Sequence, residues 1–192
     1  MESRKYRKIV FVVIFRRMQF GLQYLILKRK LHWKGWEFPK GGIEGGESAL
    51  KTIKREIKEE TGQVPYYIKK YNKMGKFEHK DLESLKLGFA GSKYRLYSAK
   101  IKEGKVKVDP REHEDYKWVD FRGGIRHLEW ENQREALRVV KDKLEEIYHL
   151  KVEKPVFKKK FAKKNPVKKT LTDRQKRGLK KTKKRVIRGR KK

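Results

Sequence analysis

Glu56, Glu59 and Glu60 are spaced so that, on a helix, three carboxylates project to one side within reach of one another. Three like charges so close repel unless a counter-ion joins them. A hard divalent cation with oxygen ligands supplies that charge. Magnesium suits, with manganese as its substitute, because such an ion also binds phosphate oxygens. Clustered Glu and Lys on a helix ordinarily make only a solvated face. Two features reverse that reading here: the glycine-rich stretch ahead of the helix, with Gly41, Gly42, Gly45 and Gly46, and the spacing of Glu47 and Arg55. Loop glycines let a backbone fold tightly and approach a metal.

The elements that must position these residues follow from local patterns. Lys8–Phe15 and Phe20–Lys28 are β-branched and aromatic runs at hairpin spacing, so they pair antiparallel. Residues 33–46 hold too many glycines, with Pro39, for regular helix, and form a shaped loop. From Ser48, an N-cap, the residues Ala49, Leu50, Ile53 and Ile57 recur at helical spacing until Gly62, a C-terminal cap. Downstream, Tyr67–Phe77, Tyr94–Ile101 and Tyr116–Phe121 have strand composition, and the polar stretch 78–92 is a candidate mobile loop over the site. A second helix spans about Glu131–His149, with Ala136, Leu137, Val140, Leu144 and Ile147 on one stripe. Strands interrupted by two helices predict an α/β/α sandwich with a mixed sheet.

The 192 residues fit one catalytic domain, over 1–150, with an appendage over 151–192. Fifty-six Lys and Arg against 24 Asp and Glu give +32, an excess that draws polyanions at a distance. Residues 151–192 hold 21 of the basic groups and 2 of the acidic ones, so this tail carries +19. Its composition has too little apolar surface to offset ordering entropy, and predicts that the tail is mostly disordered. A short helix over Asp173–Lys184, capped by Thr172, is compatible once charge is neutralised. No cysteine is present, which excludes disulfides and thiolate metal sites. The longest apolar run, Ile9–Phe15, is too short to cross a bilayer, and no cleavage site follows it. A cytoplasmic protein without a membrane partner is expected.

The stretch Gly41-x5-Glu47-x7-Arg55-Glu56-Ile57-x-Glu59-Glu60-x-Gly62 resembles the Nudix box, departing only at Gln63, where an aliphatic is usual. The resemblance implies the same α/β/α layout and a metal-dependent pyrophosphohydrolase. It implies Glu56 and Glu60 as direct metal ligands, Glu59 as ligand or proton acceptor, and the Lys40 carbonyl as an additional ligand. Arg55 and Glu47 would brace loop against helix. Gly41, Gly42 and Gly62 are the structural glycines of the motif. In this reading a water attacks phosphorus in line with the leaving phosphate. Besides Glu59, the segment Arg111–Trp118 offers a base. It resembles the E-H-x-x-Y-x-W stretch of diadenosine tetraphosphate hydrolases, in which a Glu completes the metal site; this selects Glu112 as metal ligand and base, with Glu114 as fallback. His32, His79 and His113 carry no paired spacing and are read as surface residues, while Trp33, Trp36 and Phe38 are read first as packing.

Trp36-Glu37-Phe38-Pro39-Lys40-Gly41-Gly42-x-Glu44 resembles a word shared by dinucleoside polyphosphate hydrolases, RNA 5′-pyrophosphohydrolases and decapping enzymes, where Lys40 would contact a distal phosphate. Glu131–Glu135 looks like the first group. The first substrate reading is therefore a dinucleoside polyphosphate such as diadenosine tetraphosphate. The second is the RNA 5′ end, with RNA held by the tail, since phosphate contacts add salt-dependent affinity for a long polyanion. A third reading, an RNA- or ribosome-binding platform without catalysis, is opposed by the complete carboxylate set.

Overall fold

In the computed structural model, residues 5–78 and 88–149 are described. The seven strands among the described residues are β1 (Lys5–Met18), β2 (Gly21–Arg29), β3 (Gly35–Glu37), β4 (Lys40–Gly42), β5 (Pro65–Glu78), β6 (Phe89–Ile101) and β7 (His113–Val119). The helices are α1 (Ala49–Thr61), α2 (Phe121–His127) and α3 (Glu131–Tyr148). The sheet runs β3-β2-β1-β6-β5, with β4 added on β1 and β7 on β2. Pairing of β1 with β6 is parallel and the other pairings are antiparallel, which makes the sheet mixed.

The continuous apolar run of β1 is explained by burial on both faces. Ile9, Phe11, Val13 and Phe15 pack towards α3, against Ala136, Leu137, Val140 and Leu144. Val10, Val12 and Ile14 pack towards α1, against Ile53 and Ile57. The result is the expected α/β/α sandwich. The β1–β2 hairpin is also present, closing at Met18 opposite Gly21. Ser48 caps α1 by accepting from the Lys51 amide at 3.3 Å, and Gly62 ends it with φ of 68°, a left-handed conformation that suits glycine.

Several elements differ from the sequence reading. The glycine loop contains the short strands β3 and β4, because its extended residues reach the edges of β2 and β1. The strand expected over Tyr116–Phe121 is His113–Val119. Asp120 then caps α2, its carboxylate accepting from the Gly123 amide at 2.6 Å. Gly123 and Gly124 disguise this helix in sequence, but at Gly124 a methyl group would meet Leu137 at 2.5 Å, so glycine lets α2 close on α3. Ile147 leaves the buried stripe and is 39% exposed. Within 78–92, Glu78 closes β5 and 89–92 open β6; residues 79–87, with His79, lie outside the described residues, as does the tail with the helix expected over Asp173–Lys184. Among the described residues no helix is long and apolar enough to cross a membrane. Replacing the α2 cap, Asp120→Ala, is expected to cost about 1 kcal/mol. Urea denaturation reads this as a lower midpoint, and an unchanged midpoint would show the cap to be idle.

Candidate active site

Strand β4 lies antiparallel beside β1, with Phe11 opposite Lys40 and Val10 opposite Gly41, and this brings the glycine loop under α1. The Glu56 carboxylate lies directly over Gly41, where any Cβ would overlap it. That contact fixes why glycine is needed here. Arg55 ties the loop to the helix. Its guanidinium donates to both oxygens of Glu47, at 3.2 and 3.1 Å, and to the Gly42 carbonyl at 3.0 Å. It also donates to Glu56 at 2.7 Å and Glu59 at 3.2 Å. Thr52 donates to Glu47 from one turn away, at 3.0 Å.

Glu56 and Glu60 are buried, and the Oε2 atom of Glu60 has no hydrogen-bond partner among the described residues. Burial pushes the Glu60 carboxyl well above the ordinary range; Lys40 opposes this, and the negative charges of Glu37, Glu56 and Glu112 add to it. Glu56 is likewise pushed up to about 7, by burial first, with Arg55 pulling it down and Glu59 and Glu112 adding. Both acids therefore hold their protons more tightly than a solvated glutamate. A further cation is what such a pair lacks.

Beneath them lies a buried charge network. Glu37, 1% exposed, accepts from Arg29 at 2.8 Å and from the Lys40 ammonium, and its Oε1 lies 3.3 Å from His113 Nε2. Burial would raise the Glu37 carboxyl, but Lys40, His113 and Arg29 outweigh it and hold the group at about 2. Arg29 also reaches Glu112, at 3.1 Å. Phe38, next to Glu37, donates its amide to the Gln133 side chain on α3 at 3.1 Å, so the far layer of the sandwich anchors the loop.

The residues singled out in sequence divide clearly. Glu112 lies close enough to Glu56 and Glu60 for its charge to raise the proton affinity of both, and Glu56 does the same to Glu60. Glu59 is more peripheral, with its side chain 52% exposed and held by Arg55. Glu114 is drawn away to Lys28, at 2.6 Å. The Lys40 ammonium is committed to Glu37 rather than free. His113, expected at the surface, is buried, with Nδ1 unpartnered; its strand pairs with β2 opposite Arg29, which turns the ring inward. Of the three aromatics read as packing, Phe38 is fully buried, Trp36 packs edge-on against His127 with Lys117 over its ring, and Trp33 meets Trp130 edge-on. Arg29, Glu37, His113 and Gln133 were not singled out as a group, and only tertiary pairing assembles them.

As the side chains stand, no three His, Asp or Glu groups among the described residues converge closely enough to hold an ion. Arg55 accounts for part of this, since its guanidinium supplies the positive charge that draws Glu56 and Glu59. The donor chemistry still fits a hard cation: all-oxygen carboxylates, a buried oxygen without a partner, and a glycine backbone in contact with one of them.

A family model described as NUDIX domain matches residues 5–140. An RNA pyrophosphohydrolase of Nitratiruptor sp. is 28% identical over 128 residues, which cover 64% of this chain and 83% of the relative. Among solved structures, a C. elegans Ap4A hydrolase binary complex superposes with a TM-score of 0.60 at 22% identity, over 72% of this chain and 97% of that one. The NUDIX domain of Shewanella oneidensis NrtR, complexed with ADP ribose, does so with a TM-score of 0.60 at 20% identity, over 74% and 90%. At these identities the two structures speak to the fold alone.

Proposed function

Because the chain belongs to the NUDIX family, whose hydrolases act on nucleoside diphosphate-linked substrates, we propose that this pyrophosphohydrolase cleaves the triphosphate at RNA 5′ ends. The observation that carries the hydrolytic reading is the pair of buried carboxylates, Glu56 and Glu60, one of them lying on Gly41 and the other with an unpartnered oxygen. The RNA reading moves ahead of the dinucleotide on two grounds. The named curated relative is an RNA pyrophosphohydrolase, and the net charge of +32 suits a long polyanion more than a small one. Diadenosine tetraphosphate is the second reading, favoured by the Trp36–Glu44 word and the Glu131–Glu135 segment.

Glu56, Glu60 and the Lys40 carbonyl would hold the cation, with Glu59 and Glu112 closing the site. Magnesium, or manganese in its place, would neutralise the diphosphate and make a bound water more acidic. The chain's own residues do the rest. Arg55 and Glu47 keep loop and helix in register. Glu112, its side chain 40% exposed and oriented by Arg29, takes the proton of the attacking water, with Glu59 the other acceptor. The water oxygen bonds to phosphorus as the bond to the leaving oxygen breaks, releasing diphosphate and leaving a 5′-monophosphate on the RNA. The Lys40 ammonium, exchanging Glu37 for a phosphate oxygen, meets the charge of the leaving group.

Purified protein with magnesium, offered triphosphorylated RNA, diadenosine tetraphosphate, ADP-ribose and nucleoside triphosphates side by side, tests the substrate. Diphosphate released mainly from RNA supports the first reading. Preferential cleavage of the dinucleotide to ATP and AMP would install the second, and RNA binding with no hydrolysis at all would favour a binding platform. Gly41→Ala is expected to lower kcat about a hundred-fold on whichever substrate is turned over, because the added methyl displaces the Glu56 carboxylate by an ångström or more. Unchanged kcat would remove Glu56 from the reacting centre.

A further inference from the structure

The end of the sheet at the β1–β2 turn carries a surface that the catalytic reading does not use. The Arg17 guanidinium lies 5.2 Å from the centre of the Tyr148 ring. The Lys100 ammonium sits among three rings, 5.6 Å from Tyr66, 5.9 Å from Phe15 and 6.0 Å from Tyr148. Among the described residues neither cation is paired with a carboxylate, unlike Lys73, Lys141 and Lys143 elsewhere on the domain. Their positive charge is therefore not cancelled. Three aromatic rings at this end are open to solvent: Phe20 in the turn, 94% exposed, Tyr66, 60% exposed, and Tyr67, 37% exposed but edge-on against Phe15; the first two are the freest.

Unneutralised cations interleaved with exposed rings are the recognition chemistry of single-stranded nucleic acid, in which bases stack on the rings and phosphates meet the cations. We propose that this end of the domain is a docking surface for single-stranded RNA, with bases stacking on Phe20 and Tyr66 and phosphates held by Arg17 and Lys100. The other occupants fit less well. A second copy of a +32 chain is repelled. Burial in a membrane interface calls for a broad apolar face. Here Phe20 and Met18 are the exposed side chains of the turn without a polar tip, and the tyrosines keep theirs. Arg17 is seven residues along β1 from Val10, which faces Gly41, so the surface lies about 23 Å from the candidate active site. An extended chain reaches both places, and a mononucleotide does not.

The test uses the full chain and a short oligouridine with a 5′-hydroxyl end, which has no phosphoanhydride to hydrolyse, so its result is independent of the substrate reading. Fluorescence anisotropy is expected to give a Kd raised tenfold or more in Phe20→Ser/Tyr66→Ser. In Arg17→Gln/Lys100→Gln the slope of log K against log salt should fall by about 1.4. Ultraviolet cross-linking should map to Phe20 or Tyr66, and the melting temperature of both variants should match the parent, showing intact folding. Unchanged affinity, with cross-links confined to 151–192, would overturn the proposal. So would a Phe20→Ser/Tyr66→Ser variant that loses binding to phosphatidylglycerol vesicles while keeping its RNA affinity.

Discussion

Glu60→Gln is expected to lower turnover of any diphosphate substrate about a thousand-fold while leaving the metal-free fold at least as stable as the parent. The two halves of this expectation have one cause. Glu60 is buried, one oxygen lacks a partner, and three neighbouring carboxylates oppose its ionisation. A charge in that setting costs the fold free energy, and an amide of the same shape relieves the repulsion. On the proposed reading, a bound cation is what offsets this cost. Magnesium should accordingly raise the melting temperature of the parent chain, because an ion that binds the native state alone stabilises it, and should leave Glu60→Gln unmoved. Parent-like turnover together with a parent-like magnesium shift would dismiss Glu60 as a ligand.

Glu37→Ala is expected to be the most destabilising change at the site, by about 3 to 5 kcal/mol, because it leaves a buried network without its anion. Arg29 and Lys40 both bond to that carboxylate, and His113 lies beside it. The melting temperature should fall by about 10 °C or more. Glu37→Gln separates the fold from the site. It keeps the volume and one acceptor, so it should recover much of the stability. With the Lys40 and Arg29 charges no longer neutralised, loop and Glu112 should still be misplaced, and kcat should remain low. A Glu37→Ala protein that melts with the parent would mean that solvent reaches the network and compensates it.

The two residues illustrate what sequence could and could not disclose. Glu60 belongs to a short-range pattern: its partners on α1 are set by helical spacing, its helix by Ser48 and Gly62, and its loop by glycines a few positions upstream. Such features are legible because the physics that produces them is local. The apolar runs of β1 and β2 and most of the α3 stripe were legible for the same reason. Glu37 is different. It meets Arg29 eight residues before it and His113 seventy-six after it, and only the pairing of β2 with β3 and β7 brings them together. Glu37 and His113 stand in the words Trp36–Glu44 and Arg111–Trp118, but neither word says that the two meet, and without paired spacing His113 reads as a surface residue. Helix α2 was hidden by a conflict of levels: adjacent glycines argue against helix locally, while packing against Leu137 requires one of them.

The parallel pairing of β1 with β6 joins Lys5–Ile14 to Phe89–Ala99 across most of the domain. During synthesis the first strand must therefore wait, its apolar run uncovered along one edge, until some ninety further residues have been made. Contacts so distant in sequence close slowly, and an unpaired apolar strand edge invites pairing with a neighbouring chain meanwhile. A nascent chain interrupted before Phe89 holds every residue of the carboxylate helix but not the strand that fixes its supporting layer. Such a fragment is a candidate for aggregation rather than a smaller working enzyme, and the ribosome must deliver β6 before the chemistry has a place to happen.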